Sequence, residues 1–425
     1  MKRIKILALM GSILVAVTFV TPSALAGGLS LYEISTPDVG LASAGYAAGA
    51  LDATTLFKNP AGMSVLDGPQ LNSSLQLLYG NVQFSGNSKT TTTGGNGDNA
   101  VGALPGMSLF ITYPATKKLT VGFGTFSYFG LAEDFGNNWA GRYYMQKATL
   151  LGMTLMPAAS FKVNDWLYIG GGLNAMFGYL DSQVAVRNPL NPDGRMNLRD
   201  EEWGFGGNAG IMIQPRPGTR IGINYLSEVK LDFSAKPGFT GLQGTLLGTV
   251  LANPRTLNLG MTVPQSVMVG IYQDINTNWA VMADVGWQNW SRFGEVDVSV
   301  DSSTGNPADA KATTANLHFD DTWHGAIGAQ YKASEQWRFT GGFAYDTAAL
   351  NDAHRTLALP LGEAYRFGLG AFWKVSQSVD LGAAYEFVWT GDLPVTQSST
   401  YRGTVSGSYN DVYFMFFSLN LNWHF

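Results

Sequence analysis

The chain has 425 residues, a formal net charge of −5, no cysteine and 13% charged residues, about half the share in an ordinary soluble domain. The lack of cysteine excludes disulfides, thiolate metal sites and thiol nucleophiles, and mild acidity without Lys/Arg clusters argues against a nucleic-acid partner. No second apolar run of about 20 residues follows the N-terminus, which excludes a helical membrane bundle, while 52 glycines and 12% aromatic residues describe strands and turns.

Lys2, Arg3 and Lys5 form a basic start, Ile6 to Val20 a short apolar stretch, and Ala24-Leu25-Ala26 a small-x-small cleavage pattern. These predict a signal peptide over 1–26 and an exported chain beginning near Gly27. Residues 27–69 do not alternate; Ala42 to Leu51, rich in small residues, reads as a short helix, and Asn59-Pro60 as a turn.

From residue 70 onward the dominant period is two. Trp279, Val281, Val285 and Trp287 oppose Met282, Asp284 and Gln288; Trp323, Ile327, Ala329 and Tyr331 oppose His324, Gly328 and Gln330. In the final stretch Tyr413, Met415, Phe417, Leu419, Leu421, Trp423 and Phe425 share one parity, and the other runs from Val412, Phe414 and Phe416 to Ser418, Asn420, Asn422 and His424. Aromatics at the ends of an aliphatic face are the mark of a lipid-facing strand. Lipid offers nothing to an open sheet edge, so the strands must close. Short turns such as Lys332 to Gln336 alternate with long polar stretches such as Gly86 to Asn99 and Ser302 to Ala312, the two rims of an outer-membrane barrel. The fold class is all-β: a transmembrane antiparallel β-barrel over 70–425. A barrel this wide needs a plug if it is not to conduct water, and the apolar side chains of 27–69 suit a lumen better than open periplasm.

Several motifs, in order, carry a family resemblance. They are Asp52 to Met63 with Asn59-Pro60-Ala61, Phe126 to Ala132, Glu202 to Gly210, Ser227 to Phe233 and Trp287 to Phe293. In these the chain resembles the FadL-type outer-membrane transporters of long-chain fatty acids and aromatic hydrocarbons. The resemblance implies about 14 strands, an N-terminal hatch over 27–69 containing Asn59, Pro60 and Ala61, and an inward kink of the third strand at Phe129 and Gly130 that opens the wall sideways. From the residues alone, Gly130 could equally end its strand before a loop at Glu133 to Asn138.

The stretch after Phe239 spaces Leu242, Leu246 and Val250 along one face of a helix, with Leu247 beside it. It reads either as an apolar capture groove, as the family implies, or as a helix packed on other loops. The basic pair by which fatty-acid members are thought to hold a carboxylate is not reproduced; Arg142, Arg187 and Arg366 are the candidates, with Lys147, Arg338 and Lys374 behind them. Four histidines, His318, His324, His354 and His424, complete no nucleophile–base pair and no metal spacing. The expectation is therefore no catalysis, no metal and no cofactor. The resemblance implies a monomer in the outer membrane of a Gram-negative cell that moves hydrophobic molecules. Long-chain fatty acids come first, captured outside, passed along the hatch and released sideways into lipid. Neutral aromatic hydrocarbons are the alternative ligands, and a water-filled porin the alternative class.

Overall fold

Alternation produces a sheet whose two faces meet different solvents. A computed structural model describes residues 29–425 apart from 189–190, 246–247, 249–254 and 302–310; the predicted signal peptide lies outside the described residues. Fourteen antiparallel strands form the wall: β1 (Gln70–Asn81), β2 (Gly102–Pro114), β3 (Leu119–Asp134), β4 (Lys147–Lys162), β5 (Leu167–Val186), β6 (Gly194–Arg216), β7 (Thr219–Leu226), β8 (Ser266–Asp274), β9 (Trp279–Gln288), β10 (Thr322–Lys332), β11 (Trp337–Asp346), β12 (Ala364–Lys374), β13 (Val379–Ser399) and β14 (Gly403–His424). Each pairs with its sequence neighbours, and β1 closes on β14 from Gln70↔His424 to Asn81↔Tyr413. The lipid-facing parity is the one the sequence indicates: Trp323, Ile327, Phe367, Leu369, Leu419 and Trp423 are all exposed.

The short turns share one rim. The described residues of the long segments 82–101, 135–146, 227–265, 289–321 and 347–363 rise from the other. There, Val229–Ala235, Leu257–Val263, Glu295–Val300 and Lys311–Asn316 form a separate four-stranded antiparallel sheet. The β13–β14 hairpin continues to Ser399↔Gly403, and Phe84–Gly86 adds to its free side.

The lumen is filled by residues 29–69. They contain two short helices, α1 (Thr36–Leu41) and α2 (Thr55–Lys58), and a 3-10 turn at Pro60–Val65, nearly all of it buried. The short helix therefore lies at 36–41, not at Ala42 to Leu51 as the small residues predict. Ala42 takes a left-handed conformation (φ 46°), as do Ser43 and Gly45 (φ 63° and 87°). The backbone N–H groups of Gly45, Tyr46 and Ala47 all donate to the Asp284 carboxylate on β9, at 2.5, 3.2 and 2.9 Å. A partner more than 230 positions away thus supplies what helical bonding would have supplied locally. The chain runs so close to the wall that a β-carbon at Gly222 or Gly342 would overlap the carbonyls of Ala47 and Leu41.

Candidate functional site

The candidate site is the surface where hatch meets wall, together with a break in the pairing of that wall. Asn59 precedes the 3-10 turn and caps it, its Oδ1 accepting from Ala61 N at 3.1 Å. Its Nδ2 donates to the Ala47 carbonyl (2.7 Å) and across to the Ile211 carbonyl on β6 (3.0 Å). Ser160 on β4 donates to the Ala61 carbonyl at 3.0 Å. One side chain therefore shapes the hatch and ties two of its turns to the barrel.

Opposite, the attachment is ionic. Arg366 on β12 pairs with Glu33 of the hatch, with Asp346 on β11 (2.6 Å) and with Glu386 on β13 (3.4 Å), all of them buried. Asp346 also meets His324 Nδ1 at 2.7 Å, and the His324 ring stacks on Tyr32 with centroids 4.2 Å apart. Within the hatch Lys58 Nζ lies 2.6 Å from Asp38. Burial pushes the Asp38 carboxyl above its ordinary value, against the pull of the Lys58 ammonium. Arg220 donates to the Ala48 carbonyl at 2.9 Å. Buried charges of this kind are tolerable only when paired in this way.

The break lies between β2 and β3. Their pairing runs from Pro114↔Thr120 to Leu109↔Thr125 and stops, although β2 continues to pair with β1 up to Gly102. Beyond that point β4 is the one wall strand that β3 pairs with among the described residues, with a register shift between Ser127 and Phe129. The extra residue reverses the parity: Phe126 and Tyr128 face the lumen below the shift, and Phe129, Leu131 and Glu133 face it above. The freed edge of β3 takes up Leu29–Leu31 of the hatch, with Leu31 N donating to the Tyr128 carbonyl (2.8 Å) and Gly130 N to the Leu29 carbonyl (3.0 Å). Gly130 is thus in the bend, and the irregularity itself falls at Tyr128.

Aromatic rings pack beside this break from loop to hatch. Trp290 and Phe293, in the 289–321 segment, pack on Phe129 with centroids 6.5 and 5.8 Å apart. Tyr128 and Phe126 follow, lying 4.9 and 4.5 Å from Phe57 of α2, and Phe110 stacks on Phe126 at 5.1 Å. The lumen wall changes character with depth: Val412, Phe414 and Phe416 are buried in the upper part, and Ser418, Asn420 and Asn422 in the lower. The apolar lining thus extends down to the hatch and the β2–β3 break, and a polar lining lies beneath.

The expected cation sites are scattered. Arg142 is buried among the loops, bonding Asp193 (2.9 Å), Tyr143 (2.9 Å) and the Thr93 carbonyl, at the edge of a cavity of about 280 Å³ shared with Arg195 and Gln146. Burial, reinforced by the Asp193 hydrogen bond, pushes the Tyr143 phenol above its ordinary value. Arg187 is exposed just past β5, and Lys147 and Lys374 are exposed at strand ends. Arg338 sits over the Phe372 ring, 4.6 Å from its centroid. Arg366 is committed to the hatch. In the expected capture groove, Phe239 is half-buried on a strand Gly238–Thr240 that pairs with β6, and Leu242 is buried beside Gly194. Leu246, Leu247 and Val250 lie outside the described residues. Sequence reasoning missed Glu33, Asp284 and the Leu29–Leu31 pairing, for which no local pattern exists.

Comparison with known proteins places these features in context. A family model described as "Outer membrane protein transport protein (OMPP1/FadL/TodX)" matches residues 17–425. A long-chain fatty acid transport protein of Escherichia coli is 27% identical over 407 residues, covering 87% of this chain and 89% of that one. An outer membrane protein of Haemophilus influenzae is 26% identical over 454 residues, covering 94% and 95%. Among solved structures, a Pseudomonas aeruginosa FadL homologue superposes with a TM-score of 0.80 at 20% identity, covering 96% of this chain and 99% of that one. The toluene transporter TodX of P. putida does so with 0.69 at 16%, covering 93% and 99%.

Proposed function

Because the chain belongs to the outer membrane protein transport protein (OMPP1/FadL/TodX) family, we propose that it carries hydrophobic small molecules, long-chain fatty acids foremost, across the outer membrane as a monomer embedded in lipid. The ligand is captured among the long loops, passes the hatch and leaves sideways between β2 and β3. The end of β2–β3 pairing at Leu109↔Thr125, beneath an aromatic lining and with only Leu29–Leu31 of the hatch bonded to the freed stretch of β3, carries this reading. A straight route would push the ligand past Asn420 and Asn422, then into water. An apolar chain loses about 25 cal/mol for each Å² so exposed, roughly 10 kcal/mol for an alkyl chain of about 400 Å². A lateral exit hands it from rings to acyl chains with no such penalty.

Neutral aromatic hydrocarbons are the second ligand class, favoured by the commitment of Arg366 to three protein carboxylates. The test is uptake of labelled oleate and labelled toluene by cells whose own transporters are deleted and which express this chain. Oleate uptake above the empty-vector level supports the first class, toluene uptake alone the second. Large steady ion currents in planar bilayers without uptake of either would overturn both in favour of a porin.

A further inference from the structure

The parity reversal at Tyr128 brings one carboxyl into the apolar upper lumen. Glu133 is 2% exposed, and neither of its side-chain oxygens has a hydrogen-bond partner among the described residues. Leu131 and Phe135 flank it on the same face, both buried. Ala148 lies opposite on β4. Tyr409 is within electrostatic reach, but its hydroxyl is spent on the Leu357 carbonyl at 2.7 Å. The contrast with the other buried carboxylates is plain: Glu33, Asp38, Asp284 and Asp346 each hold a cation or several N–H donors. A buried polar group without a partner is unfavourable, and a ligand that brings the missing donor removes the penalty.

We propose that Glu133 is the polar end of the ligand path and accepts a hydrogen bond from an O–H group at the end of an otherwise apolar molecule. The assignment rests on the transport reading above and adds a head-group preference to it. Glu133 lies five positions after Tyr128, about 16 Å of strand at about 3.3 Å per residue. A head at Glu133 therefore lays its alkyl tail past Phe129 and Tyr128, beside the gap. A fatty alcohol and a protonated fatty acid share the required donor; an ionised fatty acid lacks it and presents negative charge to a carboxyl.

The test is binding of radiolabelled lauryl alcohol, dodecane and lauric acid to the purified full chain in detergent, the acid at about pH 5, close to the ordinary carboxyl range and so partly protonated, and at about pH 8, far above it. Wild type is expected to bind the alcohol about tenfold tighter than the alkane, as one hydrogen bond supplies, and the acid tighter at the lower pH. In Glu133→Leu the alcohol should fall to the level of the alkane, whose own binding persists and reports an intact path. Glu133→Gln, which keeps an acceptor oxygen, should retain much of the preference. A Glu133→Leu protein with the wild-type alcohol-to-alkane ratio overturns the proposal. So does a wild-type ratio near one, which needs no variant to assemble, or an acid bound equally at both pH values. Binding of none of the three by wild type would overturn the transport reading as well, whereas equal binding of all three overturns only the role of Glu133.

Discussion

Replacing Arg366 with methionine keeps most of the side-chain volume and removes the guanidinium around which Glu33, Asp346 and Glu386 gather. All four side chains are almost fully buried, so water cannot take over the neutralisation. Removing one partner of a buried ionic cluster costs about 3–5 kcal/mol. At about 1.4 kcal/mol per factor of ten, the seated population of the hatch segment carrying Glu33 should fall, relative to the unseated one, by between about a hundred and a few thousand-fold. The wall would survive, because the β11–β12 and β12–β13 ladders do not depend on that side chain. Arg366→Met should therefore still give a heat-modifiable barrel on electrophoresis, with raised and noisy conductance in planar bilayers and cells newly sensitive to a large antibiotic such as vancomycin. Adding Glu33→Gln, which removes one of the stranded carboxylates, should recover part of the quiet state. A correctly assembled Arg366→Met protein as silent as wild type would refute the view that this cluster seats the hatch.

Three further outcomes follow from the same geometry. Asn59→Ala loses a cap and the bonds to Ala47 and Ile211, together about 1–3 kcal/mol; hydrogen exchange over 47–61 should quicken and hydrophobic uptake fall, with the barrel intact. Gly130→Val places a stiff β-branched residue in the bend, so uptake of an apolar ligand should drop severely while binding to detergent-solubilised protein persists; wild-type uptake would argue for exit through the periplasmic end. Leu419→Arg, on the lipid face at 62% exposure, should cost about 2–4 kcal/mol if that position lies near the bilayer midplane, read as reduced folding yield into vesicles and unchanged behaviour in water-soluble loop regions.

The sequence makes the wall legible because the pleat repeats every two residues and lipid selects one parity: the face of Phe417, Leu419, Leu421 and Trp423 can be read with no partner in view. The start of β1 at Gln70, just after Pro69, is similarly local. What escapes is set between distant segments. Tyr128 becomes a bulge only because β4 is one residue out of step opposite it. Glu133 therefore belongs to the lumen, although its sequence context reads equally as the first residue of a loop. Ala42 to Leu51 has a helix-like composition, but Asp284 claims its N–H groups. Arg366 looks like a base awaiting a ligand until Glu33, 333 positions earlier, comes to meet it.

The attachments of the hatch run round the circumference, from Ser108 on β2, which donates to the Ile34 carbonyl, through Asn208, Asp284 and Thr340, to Ser418 on β14, which meets Thr36 at 2.7 Å. β14 is also the strand that must find β1 to complete the cylinder. The hatch thus bonds to wall strands on both sides of that seam. A barrel closed without the plug would present glycine-lined walls and stranded charges to an empty bore.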